Sequence, residues 1–156
     1  MNDFSFQLGQ LCSAMDEVHI GYCMSERGGS IPNTLLGNQV YGMALQDPVK
    51  AMAFMATRRR PYDSWAKRKK IQLNSKDDKD KQKSKTIQNA VYAQRWMGKQ
   101  AAKLNQYLRE SDISTSDSYK AELMLGYLAG RPFEQKKESA KSNTDKGENN
   151  ESTSTI

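Results

Sequence analysis

Apolar residues recur through the first 133 of the 156 positions at the three- and four-residue spacing of amphipathic helices. The first stripe predicts a helix over residues 4–25, which the glycines Gly28 and Gly29 would end. Its positions are Phe4, Leu8, Leu11, Met15, Val18 and Tyr22. Gly9 and Gly21 lie inside this helix, where glycine costs about 1 kcal/mol relative to alanine, so each is a candidate for a close contact between helices.

Capping residues place two further helices after the first one. Asn33 or Thr34 can cap a second helix that continues to about Gln46. A third helix should begin at Pro48, because Asp47 is a favoured N-cap residue and proline is favoured in the first turn.

Pro61 interrupts the third helix. The residue before a proline avoids the helical region, so we expect the helix to end or kink at Arg60 and to resume over residues 62–73. The side chains expected to face inward in the resumed segment are Tyr62, Trp65 and Ala66. Residues 67–70 should face outward, because all four are lysine or arginine.

Two more helices complete the pattern. Residues 74–84 are almost entirely polar and can form either an exposed helix end or a loop. The longest helix is predicted over residues 84–110, and residues 114–117 supply capping groups for a last helix that ends at Gly130. Its apolar side is predicted to contain Tyr119, Leu123, Leu125, Tyr127 and Leu128. Because no stretch alternates with period two, we predict an all-α bundle of five or six helices.

Composition divides the chain at about residue 133. Residues 1–133 contain every aromatic residue and are predicted to form one helical domain. Residues 134–156 contain no aromatic residue, and their only apolar residues are Ala140 and Ile156. Such a segment buries too little apolar surface to offset its chain entropy, so we predict a disordered polar tail.

Positive charge is concentrated in residues 58–103, called here the basic segment. It holds fifteen Lys or Arg and four Asp, whereas the residues on either side are slightly acidic. The side chains predicted to contact nucleic acid are Arg58, Arg59, Arg60, Lys67, Arg68, Lys69, Lys70, Arg95, Lys99 and Lys103. Four aromatic residues are interleaved with them, namely Tyr62, Trp65, Tyr92 and Trp96. A basic, aromatic-containing segment indicates polyanion binding, because phosphate neutralisation supplies most of the affinity.

Two alternatives stay open for the basic segment. Its charges can form an ordinary solvated helix face, in which Arg95, Lys99 and Lys103 make one row because they are spaced by four. A basic amphipathic helix can also lie on anionic lipid, although these charges are spread over more than one element. No apolar run is long enough to span a bilayer and no secretory signal is present, so a cytoplasmic protein is expected.

Candidate catalytic or metal-binding groups are few. His19 is the only histidine and lies between Val18 and Ile20, where a core or rim position is the simpler interpretation. Cys12 and Cys23 would lie about 16 Å apart along a helix axis, so we predict two buried thiols that share neither a disulfide nor a metal. Asp77, Asp78 and Asp80 could mimic a metal-binding acidic cluster, but the charges of the lysines among them oppose metal binding and favour a solvated charge run. We therefore expect neither an enzyme nor a cofactor.

Three short motifs resemble a known family in their order and separation. They are FQLGQL at residues 6–11, YGMA at residues 41–44 with Pro48 beyond it, and ELMLGY at residues 122–127. Together they are similar to the C-terminal helical region of the large subunit of subtype I-C CRISPR Cascade, a region also made separately as the small subunit. The resemblance covers about residues 4–131. We interpret its small residues as packing residues, among them Gly9, Gly42 and Gly126.

The resemblance implies a helical bundle without catalytic activity. Small subunits of this kind lie along the guide RNA and its paired target, and they help hold the heteroduplex or the displaced DNA strand. Because base pairing reads the sequence in such complexes, the protein would contribute backbone contacts. The implied partners are the large subunit, the backbone subunits, further copies of this chain, guide RNA and target DNA, with no membrane and no cofactor.

Overall fold

Five α-helices make up the part of the chain that the computed structural model describes, which is residues 3–73, 81–110 and 112–132. The helices are α1 (Asp3–Glu26), α2 (Leu36–Ala44), α3 (Pro48–Leu73), α4 (Lys81–Glu110) and α5 (Asp117–Ala129). No strand occurs within these ranges, so the predicted all-α bundle is confirmed. The predicted tail and residues 74–80 of the ambiguous polar stretch lie outside the described residues. Within the described ranges, every helix is too short or too polar to cross a membrane.

α1 is the centre of the bundle and contacts each of the other four helices. The stripe predicted for it is buried as expected, with Tyr22 partly buried at its edge. Of the other helices, α4 packs most extensively against α1. Its buried apolar residues are Ala90, Val91, Ala93, Met97, Ala101 and Leu104. Cys12 and Cys23 are both buried free thiols, as predicted.

α1 and α5 touch through their backbones. A Cβ atom added to Gly9 would overlap the carbonyl oxygen of Leu123, and one added to Gly126 would overlap the carbonyl oxygen of Phe6. The two helices can approach this closely only because both positions are glycine. By contrast, a Cβ atom on Gly42 would meet no atom within 4 Å, so the interpretation of Gly42 as a packing residue is wrong.

α5 is less buried than its sequence pattern predicts. Tyr119 and Leu123 are buried, but Leu125 and Leu128 are 54% and 73% exposed. Their predicted place on the packed side of α5 is therefore wrong. The physical reason is that α5 packs against α1, and contact with one neighbouring helix covers only one side of a helix.

Side chains of α1 cap the N-terminus of α2. The residue at the N-cap position of α2 is Leu35, whose side chain has no acceptor to offer. The N–H of Leu36 instead donates to Nδ1 of His19 at 3.1 Å, and the N–H of Asn38 donates to Oδ1 of Asp16 at 3.0 Å. These bonds satisfy donors of the first turn that have no partner inside the helix.

This arrangement corrects the sequence prediction for α2. Asn33 and Thr34 lie before the helix and do not cap it. The acceptors come from α1 because Gly37 allows the backbone of α2 to approach that of α1 closely. The helix also ends at Ala44 rather than near Gln46.

α3 continues through Pro61, so of the predicted end or kink at Arg60 the helix end does not occur. A proline inside a helix costs about 3 kcal/mol. The turns that follow bury Tyr62, Trp65 and Ala66, as predicted. Burial of 150–250 Å² for one aromatic side chain stabilises a fold by about 4–6 kcal/mol, which offsets the cost of the proline.

The capping residues predicted for the N-termini of α3 and α5 and for the C-terminus of α5 are confirmed. Oδ1 of Asp47 accepts a hydrogen bond from the N–H of Lys50 at 3.0 Å. Oγ of Ser116 accepts one from the N–H of Tyr119 at 3.3 Å. Gly130 ends α5 with a φ of 72°, a conformation that favours glycine.

Candidate nucleic-acid interface

A buried glutamine ties α3 to α4. Nε2 of Gln94 donates to Oδ1 of Asp63 at 2.5 Å and to the carbonyl oxygen of Arg59 at 3.4 Å. Gln94 is only 2% exposed, and its two bonds join α4 to two residues of α3. The basic residues of α3 and of α4 are thereby placed side by side.

A shallow hollow between these helices, called here the α3–α4 groove, has a volume of about 200 Å³. Its floor contains the buried residues Ala66, Val91 and Gln94, and its rim carries the exposed cations Lys67 and Arg95. The sequence places these two cations 28 positions apart, and the helix packing brings them to one groove.

Among the described residues that line the α3–α4 groove, Asp63 is the acidic one. Its carboxylate is engaged by Gln94 and also lies 3.9 Å from Nε of Arg59. Asp63 therefore interacts with Arg59 on its own helix and with Gln94 on α4, and among the described residues it makes no ion pair with Lys67 or Arg95, which can attract an external anion.

The predicted row on α4 is exposed. Arg95, Lys99 and Lys103 all lie on the surface. Within the described residues, none of the three has an acidic side chain at ion-pair distance. Because no acidic side chain of the described ranges neutralises them, this row can contact phosphates that recur along a strand.

A second hollow, called here the Tyr92–Trp96 groove, adjoins the first on the outer face of α4. Its volume is about 230 Å³. The lining residues are Tyr92, Arg95, Trp96, Lys99, Arg131 and Pro132. Arg95 lines both grooves, so the two hollows form one surface that combines cations with aromatic rings.

Arg131 forms one wall of the Tyr92–Trp96 groove and was not predicted as a site residue. Its guanidinium donates to both carboxylate oxygens of Glu17, at 2.8 and 3.1 Å, and to the carbonyl oxygen of Asn89 at 3.5 Å. These bonds fix its position against α1 and α4. The sequence offered no signal for it, because Arg131 lies outside the basic segment and follows a helix-ending glycine.

Three of the predicted site residues have partners within the protein. The guanidinium of Arg58 lies 5.2 Å above the ring of Phe54, and Nζ of Lys69 lies 3.6 Å from Glu26. Arg59 contacts Asp63, as described above. Their charges are partly satisfied internally, which makes them weaker candidates for phosphate contact than Lys67 or Arg95.

The other predicted cations divide by what the structure describes. Arg60 and Arg68 are exposed on α3. Lys70 belongs to the same helix, but its side chain lies outside the described residues.

The four interleaved aromatic residues separate into two pairs. Trp65 is fully buried and Tyr62 nearly so, and burial raises the pKa of Tyr62 to about 12. Tyr92 is 47% exposed and Trp96 is partly exposed on the outer face of α4. Only the second pair can stack against an external ligand.

His19 and Asp16 of α1 make contacts that hold the neighbouring helices α2 and α5. The hydroxyl of Tyr127 donates to Oδ2 of Asp16. Burial raises the pKa of Asp16, although its hydrogen bonds act in the opposite direction. Burial lowers the pKa of His19, which keeps Nδ1 able to accept a hydrogen bond at neutral pH. Both groups are therefore occupied in holding α2 and α5 against α1.

Within the described ranges, no group of three His, Cys, Asp or Glu side chains could hold a metal ion. The acidic cluster formed by Asp77, Asp78 and Asp80 lies outside those ranges.

Comparisons with known proteins give no relative for this chain. No protein-family model matches it, and neither the curated proteins nor the solved structures contain a significantly similar one.

Proposed function

We propose that this chain is a non-catalytic, cytoplasmic nucleic-acid-binding subunit, the small subunit of a subtype I-C CRISPR surveillance complex. The observation that carries the nucleic-acid part is the grouping of Lys67, Arg95 and Lys99 along two adjoining grooves. These cations are exposed and have no acidic partner at ion-pair distance among the described residues. The resemblance of the three motifs supports the assignment to a guide-RNA complex.

Phosphate contacts of this kind do not depend on nucleotide sequence. Each lysine or arginine that neutralises a phosphate releases a condensed counterion, so affinity decreases steeply with salt. In a guide-RNA complex the sequence is read by base pairing, and a subunit that holds the backbone adds affinity without adding selectivity. The partners would be guide RNA or target DNA, the large subunit, the backbone subunits and further copies of this chain.

The assembly is tested by coexpression. A tagged copy of this chain is produced with the other subunits of a subtype I-C complex and a guide RNA, and the purified material is analysed for all components. We expect the chain to copurify with the complex, and its omission to weaken target binding and DNA interference. Complexes that assemble and bind target equally well without the chain would contradict the proposed setting.

Binding by the isolated chain tests the nucleic-acid part separately. Fluorescence anisotropy with labelled RNA and DNA should show binding. The logarithm of the association constant should decrease linearly with the logarithm of the salt concentration. Binding without copurification would indicate a free-standing nucleic-acid-binding protein. No binding to any strand at low salt would contradict both forms of the proposal.

A further inference from the structure

The Tyr92–Trp96 groove combines two kinds of side chain in a regular order. Tyr92, Arg95, Trp96 and Lys99 follow one another at the spacing of a single helix face, so aromatic rings and cations are neighbours on it. The hydroxyl of Tyr92 accepts a hydrogen bond from Nε2 of Gln88 at 3.2 Å, which holds the exposed ring in place. Exposed aromatic rings next to phosphate-binding cations are the arrangement on which unpaired bases stack.

Arg131 and Pro132 line the Tyr92–Trp96 groove opposite α4, and hydrogen bonds hold Arg131 in place. Arg131 is held by both carboxylate oxygens of Glu17 and by the carbonyl oxygen of Asn89. Because Glu17 pairs with its guanidinium, Arg131 adds less net charge to the groove than Arg95 or Lys99 does. Pro132 extends this wall with a rigid apolar ring.

The size of the groove limits its ligand. Its volume of about 230 Å³ is below the roughly 300 Å³ at which ordinary small-molecule sites begin. One planar ring system can enter, while the attached sugar and phosphate stay at the surface beside Arg95 and Lys99. A base in a duplex would first have to be unstacked and unpaired, at a cost that a single strand avoids.

We propose that the Tyr92–Trp96 groove binds one unpaired base of a single-stranded nucleic acid. The base stacks against Tyr92 and Trp96, and the adjoining phosphates contact Arg95 and Lys99. This inference rests on the proposed function and adds to it a site that distinguishes single strands from duplexes.

The decisive variant is Tyr92→Leu in the full chain, because Tyr92 is exposed and its ring contributes little to the core. Its matched control is Tyr107→Leu, since Tyr107 is a similarly exposed tyrosine of α4 that stacks on Phe4, with ring centroids 5.2 Å apart. The probe is labelled oligothymidylate of about 15 nucleotides, within the length range of single-strand binding sites. We expect Tyr92→Leu to weaken binding at least about fivefold and Tyr107→Leu to leave it unchanged.

Salt dependence separates stacking from phosphate contact. Tyr92→Leu and Trp96→Leu should leave the slope of log affinity against log salt concentration unchanged, because neither substitution removes a phosphate contact. Trp96→Phe should retain most of the affinity, because it keeps an aromatic face. Equal affinity of Tyr92→Leu, Trp96→Leu and wild type for the oligonucleotide would overturn the base site.

Fluorescence of the unmodified protein gives a second measurement that needs no variant. The chain has two tryptophans, and Trp65 is fully buried, so quenching by a ligand reports on Trp96. Oligothymidylate should quench this emission, whereas an abasic strand of equal length should bind more weakly and quench less. Equal quenching by the abasic strand or by polyglutamate would overturn the base site.

The two proposals can fail separately. If the base-site variants bind like wild type while Lys67→Gln with Arg95→Gln weakens binding, backbone binding stands and the base site is overturned. If wild-type protein binds no nucleic acid, the proposed function is contradicted together with the base site.

Discussion

Nδ1 of His19 in α1 accepts a hydrogen bond from the backbone N–H of Leu36, the first residue of α2, at 3.1 Å. The bond requires a neutral Nδ1, so the single histidine of the chain links the attachment of α2 to pH. Burial and, to a smaller extent, Arg27 lower the pKa of His19, while Asp16 acts in the opposite direction.

The sign of the resulting pH dependence follows from this lowered pKa. The unfolded chain takes up the histidine proton at a higher pH than the folded chain does, near 6.5. The contribution of His19 is therefore fully present above that pH and is lost as pH decreases through the folded-state pKa. Urea unfolding at pH 8 and pH 5 should show a larger decrease in the free energy of unfolding for wild type than for His19→Asn.

His19→Asn is informative because asparagine keeps an acceptor but does not titrate. Asp16 titrates in both proteins, so the difference between them reports the pH dependence that requires the histidine, including its coupling to Asp16. His19→Ala removes the acceptor at every pH and should lower the free energy of unfolding by about 0.5–2 kcal/mol, as for loss of a helix cap. Parallel pH profiles for wild type and His19→Asn would show that the histidine does not act in this way.

The backbone contact between α1 and α5 makes Gly9 sensitive to the smallest added side chain. Gly9→Ala should lower the free energy of unfolding by about 1–3 kcal/mol, because its methyl group would overlap the carbonyl oxygen of Leu123. Gly42→Ala is the control, since Gly42 lies in open space inside α2. It should raise the free energy of unfolding by about 0.5–1 kcal/mol through helix propensity. A gain of stability in Gly9→Ala, as expected for Gly42→Ala, would mean that α1 and α5 are not in backbone contact.

Replacement of Pro61 should stabilise the protein. Pro61→Ala restores an N–H group and a hydrogen bond inside α3, so we expect the free energy of unfolding to increase by roughly 1–3 kcal/mol. Pro48→Ala is the control, because Pro48 lies at the first position of the helix, where an N–H would have no partner within it. Thermal or urea unfolding measures both. A loss of stability in Pro61→Ala would indicate that the proline ring itself makes a needed contact.

Removal of positive charge should weaken nucleic-acid binding more at the α3–α4 groove than at cations that have partners inside the protein. Lys67→Gln combined with Arg95→Gln removes two cations from the α3–α4 groove, and should weaken nucleic-acid binding about tenfold near physiological salt. The slope of log affinity against log salt should become shallower by roughly 1.4–1.8.

The matched control for this pair is Arg58→Gln combined with Lys69→Gln, which removes the same formal charge. Both residues have internal partners, Phe54 and Glu26, so a smaller loss of affinity is expected. Equal losses in the two double variants would mean that net charge, and not the groove, determines binding.

The number and order of the helices could be predicted from the sequence because their signals are local. The stripe from Phe4 to Tyr22 repeats with helical period, and Asp47, Ser116 and Gly130 act within a few residues of the helix ends that they define. The alternative that the helix ends at Arg60 was wrong for a tertiary reason, since burial of Trp65 against the bundle stabilises the helix beyond Pro61. The prediction of the α2 cap was also wrong, because the acceptors for its first N–H groups come from another helix.

The candidate site was only partly predictable. The sequence predicted one basic segment, to which both Lys67 and Arg95 belong, but it could not distinguish these two from Arg58 or Lys69, whose charges meet partners inside the protein. It also missed Arg131, whose position depends on a bidentate pair with Glu17 more than a hundred residues earlier in the chain.

Periodicity and charge are properties of neighbouring residues, so the amino-acid sequence alone predicts a helical chain whose positive charge is concentrated in one segment. Helix packing, in contrast, places Tyr62 and Trp65 in the core while Tyr92 and Trp96 line a basic groove. All four are aromatic residues at helical spacing among cations, so local pattern treats them alike. The difference arises because α1 covers one face of the α3–α4 pair and leaves the outer face of α4 open.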